Sequence, residues 1–239
     1  MRRPFLPAPF LPALLLAALV PVTGAGAADR RVDLSSFDSL RVEGAFIVTV
    51  TTAPSPRATL SGDAETLRRV EARIAGRSLI VRMAPDEATT RRSTGQPVTL
   101  TLAAPPLSAI SVIGGSRITA QALRGTAMTL SLAGPAEVQV DRAEGEQLTA
   151  TLLGPGKLTI GGGRVGKARL SSSGTALIAA EGLEVGDLMV ALDGPGEIKA
   201  RARYSAAVAN SGLGRVTIDG APKCRVTGGG GASVRCGTR

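Results

Sequence analysis

From residue 110 to residue 218, apolar and polar side chains alternate almost without a break, and the alternation runs straight through pairs of small residues. Three segments set the pattern: Ile110-Ser-Val-Ile-Gly-Gly-Ser-Arg-Ile-Thr-Ala120, Leu130-Ser-Leu-Ala-Gly-Pro-Ala-Glu-Val-Gln-Val140 and Ala150-Thr-Leu-Leu-Gly-Pro-Gly-Lys-Leu-Thr-Ile160. Three more repeat it, beginning at Ala168, Val190 and Val208. The shared template is apolar-x-apolar-x-Gly-x-Gly-x-apolar-x-apolar. Its first small position falls at Gly114, Gly134, Gly154, Ser172, Gly194 and Gly212, at spacings of 20, 20, 18, 22 and 18 residues.

Alternation of this kind marks β-strands, because side chains at i, i+2 and i+4 share one face. A glycine at the template midpoint lets the chain turn without a Cβ clash, so two short strands meet at a corner. One apolar face recurring every twenty or so residues is buried by stacking each copy on the one before it. The copies restart in the same orientation with like residue above like, which favours parallel coils over antiparallel hairpins. The expectation is an all-β chain: a right-handed parallel β-helix, or solenoid, of about six Gly-rich coils over residues 109–222.

Residues 29–108 have a different texture, a β-rich segment with one short helix. Val32–Leu34, Leu40–Val42, Ala45–Thr51, Ser78–Met83 and Val98–Leu102 alternate as strands. Asp63 to Val70 reads as a helix, with Asp63 as cap, acids early, arginines late, and Leu67 and Val70 marking a buried edge. Ala84 to Pro97, polar and carrying Pro85, Arg91, Arg92, Gly95 and Pro97, reads as a loop.

The ordered series Phe37-Asp-Ser-Leu-Arg-Val-Glu-Gly44, Phe46-Ile-Val-Thr-Val50, Leu60-Ser-Gly-Asp63 with Leu67, Ser78-Leu-Ile-Val81 and Pro106-Leu-Ser-Ala-Ile110, followed by the Gly-rich copies, resembles the bacterial head GIN domain family. The resemblance spans about residues 35–220. It implies an exported, β-rich protein with parallel β-helical coils and a role in cell-surface adhesion.

The chain's beginning sharpens the compartment. Residues 1–28 read as a secretory signal: Arg2 and Arg3, an apolar stretch from Leu11 to Val22, then Gly24-Ala-Gly-Ala-Ala28. That stretch is broken by Pro12 and Pro21 and is shorter than the roughly 20 residues a membrane span needs. The expected product is periplasmic or extracellular, with no transmembrane segment in the mature chain. Cys224 and Cys236, the chain's two cysteines, are then expected to pair as a structural disulfide within a C-terminal loop, 223–239, around the run Gly228 to Gly231.

Net charge is +9, or +7 once the two signal arginines are removed, and the excess leans toward the C-terminal half. That suits attraction to an anionic envelope polymer, though a solvated arginine-rich surface explains it as well. Phe37, Phe46 and Tyr204 are the aromatic residues left in the mature chain, too few for the stacking platforms of nucleic-acid binders.

Composition also narrows the chemistry. With no histidine, the usual triads, His-ligated metals and imidazole catalysis are excluded. No catalytic residue, metal or cofactor is implied. A glycan-active enzyme on a β-helix is the competing class, and its candidate acids are Glu137, Asp141, Asp193, Glu197 and Asp219. Stacking is expected to set Glu137 beside Lys157 and Glu197 beside Arg215, as an exposed charge ladder. The preferred reading is a non-enzymatic envelope or adhesin-like module whose exposed flank, and the loop Ala84–Pro97, meet an unknown cell-surface component, an anionic glycan among the candidates.

Overall fold

The computed structural model describes residues 28–84, 97–228 and 233–238. All but Ala28 of the signal read at 1–28, most of the loop Ala84–Pro97 and most of the run Gly228 to Gly231 lie outside the described residues. The described chain holds seventeen strands and one five-residue helix, and about six turns of β-solenoid.

The coils are set by the alternation. β8 (Ala109–Ile113) leads through a corner into β9 (Arg117–Ala133), then β10 (Glu137–Leu153), β11 (Lys157–Ile160), β12 (Gly163–Ser173), β13 (Leu177–Asp193), β14 (Glu197–Asn210) and β15 (Arg215–Asp219). Each lies parallel to its neighbours one coil away, with Val138 opposite Ile118 and Leu158, and Ala150 opposite Leu130 and Leu170. A complete coil therefore has two arms joined by a glycine corner on one side and by a bend near residues 141–146 on the other. Val138, Val140, Ala143, Leu148, Ala150 and Leu152 of one coil all point inward and are at most 1% exposed. Burial of such columns, about 25 cal/mol per Å2 of apolar surface, is the main attraction between coils.

The corner residues show why glycine recurs. Gly114, Gly134, Gly154, Gly174 and Gly194 all have φ between +95 and +117°, a region a side chain makes costly. The fourth corner is therefore Gly174 and not Ser172, and the spacing there is 20 and 20 in place of 18 and 22. Ser172 sits two residues earlier on the inward column, opposite Leu152 and Leu192, and is 4% exposed. A slip of two residues keeps every side chain on its own face, so alternation alone cannot detect it. Gly212, in the shorter last coil, packs directly over Gly194.

The N-terminal part starts the stack. β2 (Ser39–Glu43) and β3 (Phe46–Thr52) meet at Gly44, φ +123°, and pair in parallel with β8 and β9 of the next coil. The Ser116 hydroxyl fastens this join. It donates to the Gly44 carbonyl oxygen at 2.9 Å and accepts the Phe46 N–H at 3.1 Å. The chain then leaves the stack for β4 (Arg57–Gly62), α1 (Ala64–Arg68) and β5 (Val70–Ala75), and returns as β6 (Ser78–Met83) and β7 (Val98–Ala104), which pair in parallel with β2 and β3 on the side away from β8 and β9. β4 lies antiparallel to β7 and to β1 (Ala28–Asp33), and β5 antiparallel to β6, so the N-terminal end closes with antiparallel strands.

Asp63 caps α1 by accepting the Glu65 and Thr66 N–H groups at 3.1 Å. The helix ends at Arg68, and Val70 already opens β5. At the far end, β16 (Lys223–Gly228) and β17 (Ser233–Thr238) form the last partial coil. Cys224 and Cys236 are disulfide-bonded and lie in register with Ala206 and Ile218, both buried. The bridge thus occupies the core positions where another coil's apolar side chains would sit.

Candidate functional site

The bend that closes each coil also shapes a surface groove. Between the two arms, Gly166 lies over the backbone of Glu146, and Gly186 over Gly166. A Cβ at Gly186 would stand 2.5 Å from the Gly166 carbonyl oxygen, so successive coils approach closely here and the floor is bare at Gly166 and Gly186, with Glu146 at the head of the same column. The result is an open groove of about 1130 Å3 crossing the coils from Glu144 to Ala221.

Two columns of side chains border it. On one side Glu144, Arg164, Glu184 and Arg201 stand in register, one per coil, with Arg124 continuing the column beyond the groove. On the other are Gln147, Lys167 and Asp187, the last accepting a hydrogen bond from the Ser205 hydroxyl at 2.5 Å. Tyr204, 58% exposed, lies against Gly186 at the C-terminal end. The Arg203 guanidinium sits 5.2 Å from the centre of its ring, within cation–π range.

Several charges in the N-terminal stretch of the groove are matched in ion pairs, while Glu146 and Lys167 line it without one among the described residues. Glu144 accepts from Arg124 at 2.6 Å and from Arg142 at 3.4 Å, and Arg164 donates to Glu184 at 3.0 Å. The Arg124 hydrogen bond, helped by Arg142, holds the Glu144 carboxyl below its ordinary value of 4.5. A general acid needs the opposite shift, upward toward neutrality. Glu144 is therefore a fixed anion.

The ladder expected on the other flank is partly as anticipated. Glu137 pairs with Arg117 at 2.9 Å and with Lys157 at 3.4 Å, and the Arg117 hydrogen bond leads in holding its carboxyl below 4.5. Glu197 is in register with Arg215, but its ion pair is with Lys199 at 3.4 Å. Asp141 accepts from the Gln139 amide at 3.2 Å, and Asp193 from the Ser211 hydroxyl at 3.4 Å. None of the five candidate acids, Asp219 included, lines the groove. Among the described residues, no cluster of three His, Cys, Asp or Glu could hold a metal ion, and no helix is long and apolar enough to cross a membrane.

Sequence reasoning missed the groove and its border. The signal was present: Arg124, Glu144, Arg164 and Glu184 alternate in sign at intervals of 20 residues, the same interval as the corner glycines.

The sequence pattern of the family described as "Putative auto-transporter adhesin, head GIN domain" matches residues 36–222. No curated protein matches the chain. Solved structures share its fold. A protein described as a putative adhesin from Bacteroides fragilis superposes with a TM-score of 0.81 at 16% identity, covering 90% of this chain and 98% of its own. A second so described, from Parabacteroides merdae, gives 0.69 at 15% identity over 89% and 96%. A protein described as a putative lipid binding protein from Parabacteroides distasonis gives 0.63 at 14% identity over 89% and 97%.

Proposed function

This chain belongs to the head GIN domain family, and from that premise we propose that it is an exported, non-enzymatic interaction module whose groove binds an extended polymer of the cell envelope or of a neighbouring surface. The observation that carries this reading is the groove itself: one continuous trough across successive coils, bordered by a repeated column of charged side chains. A trough whose bordering charges recur at the regular spacing of the coils suits a repeating ligand, which gains affinity from many weak contacts in series. The Glu144 carboxylate, held ionised by Arg124 and Arg142, favours binding over proton transfer. A disulfide at the C-terminal cap fits an oxidising compartment.

The test is a pull-down of fractionated envelope polysaccharides with the mature chain, compared with Lys167→Trp, which sets an indole across the groove from an exposed strand position. Retention by the parent chain, loss in the variant and recovery of the polymer at its original length are expected. Retention unchanged by Lys167→Trp, or shortening of the bound polymer, would overturn the reading.

A further inference from the structure

Charge along the solenoid is sharply uneven. Residues 110–198 carry seven basic and nine acidic side chains, whereas the described residues from Lys199 onward carry seven basic and one acidic. The position of the change matters more than its sum. In the early coils Arg117, Arg124 and Arg164 are tied to carboxylates one coil away, at Glu137, Glu144 and Glu184. In the last two coils Asp219, in register with Arg201, is the one acid among the described residues. Arg201, Arg203, Arg215, Lys223, Arg225 and Arg235 are all exposed, and none forms an ion pair with a carboxylate among the described residues.

Two of these cations lie at the end of the groove. Arg201 is the last member of its column to line the groove, with Asp219 in register one coil beyond, and Arg203 stands beside it against the Tyr204 ring. Stacking restrains the guanidinium, so less freedom is lost when its N–H fork meets an anion. A planar fork suits a carboxylate or sulfate, which it grips through two parallel hydrogen bonds. The groove advances one coil every ~4.8 Å, close to the length of one pyranose unit in an extended chain. The remaining cations stand outside the groove on the last coils, Lys223 and Arg225 on one arm and Arg215 and Arg235 on the other.

Resting on the polymer-binding reading above, we propose that the polymer is an acidic polysaccharide, with Arg201, Arg203 and Tyr204 forming the subsite for a carboxylate- or sulfate-bearing sugar and the cation excess of the last coils drawing the chain toward it. The paired early coils contact its neutral faces, and the unpaired late coils supply the charge that selects it. A concave, glycine-floored trough matches a linear chain; a bilayer surface needs a flat or convex contact. Orientation follows from the asymmetry, because the anionic chain is drawn to the disulfide-capped end.

The experiment is titration of the mature chain with polygalacturonate, its methyl ester, polyglutamate, and vesicles of phosphatidylglycerol and phosphatidylethanolamine. Polygalacturonate is expected to bind, and neutralising three cations weakens its affinity roughly 20-fold between about 50 and 200 mM salt. Arg201→Ala with Arg203→Ala is expected to cost roughly ten-fold or more. Arg203→Lys, which keeps the charge and loses the fork, should fall between, while Arg117→Ala with Lys157→Ala on the paired ladder should bind as the parent does. Equal binding of the methyl ester overturns the acidic subsite and leaves the polymer-binding reading standing. Equal binding of polyglutamate or of the vesicles overturns the saccharide assignment. Failure to bind any of the four probes overturns the proposal, and the envelope pull-down decides separately whether the broader reading survives.

Discussion

Replacing Gly145 by alanine tests the stacking directly. Gly145 lies in register with Gly125 one coil below, and a Cβ built on it stands 1.9 Å from the Gly125 carbonyl oxygen and 2.9 Å from the Met128 side-chain methyl. The methionine can move, but the carbonyl belongs to the ladder. Reaching even 3.0 Å requires β9 and β10 to part by about 1.1 Å at this point. Overpacking of that kind costs about 1–3 kcal/mol, and each ladder hydrogen bond stretched beyond range adds roughly 1 kcal/mol. A loss of about 3 kcal/mol corresponds, for a chain of this size, to a fall in Tm of roughly 6–12 °C. Gly115→Ala is the internal control, because its new Cβ meets Pro135 at an ordinary 3.7 Å and its φ is not positive. Thermal unfolding followed by circular dichroism should separate the two variants clearly. If Gly145→Ala melts within a degree of the parent, the in-register contact between these coils is wrong.

Three further outcomes follow from named contacts. The Ser172 hydroxyl is buried with no hydrogen-bond partner, so Ser172→Ala should raise stability by about 1 kcal/mol in denaturant unfolding; a loss would show that the hydroxyl is satisfied. Reducing the Cys224–Cys236 bridge, which closes a separation of 12 residues, should cost about 3 kcal/mol and speed amide exchange in β16 and β17 before β9 and β10. On acidification, Asp38, held below its ordinary 3.8 by the Arg77 hydrogen bond, and Glu137, held below 4.5 by Arg117, bind protons more weakly folded than unfolded. Their contribution is complete above those ordinary values and is lost as pH falls through the lower, folded ones. Urea midpoints should thus drop below about pH 4, and the drop should shrink in Asp38→Asn.

The fold was largely legible because its signal is periodic. Alternation fixes which side chains face inward, and the glycines mark where each coil turns, so the arms around Gly134, Gly154 and Gly194 follow from the chain alone. Errors arose where periodicity is blind. Ser172 fits the template as well as Gly174 does, since both lie on the inward face, and only the positive φ at Gly174 decides. The Gly44 coil escaped notice because β4, α1 and β5 and the coil of β6 and β7 intervene before Gly114, 70 positions further on. The groove was harder still. It depends on Gly166 and Gly186 falling one above the other at a bend, where alternation breaks and no reactive motif announces a site. The cysteine pairing needed only their number and compartment.

The central claim is that polymer lies in the trough over Gly166 and Gly186 and is anchored at Arg203 and Tyr204. Amide hydrogen exchange of the mature chain, with and without polygalacturonate, tests it most directly. Slowed exchange confined to residues 144–147, 164–167, 184–187 and 201–204 is the expected result. Slowing confined to the outer strand faces around Arg117 and Lys157, or none at all under saturating ligand, would contradict it.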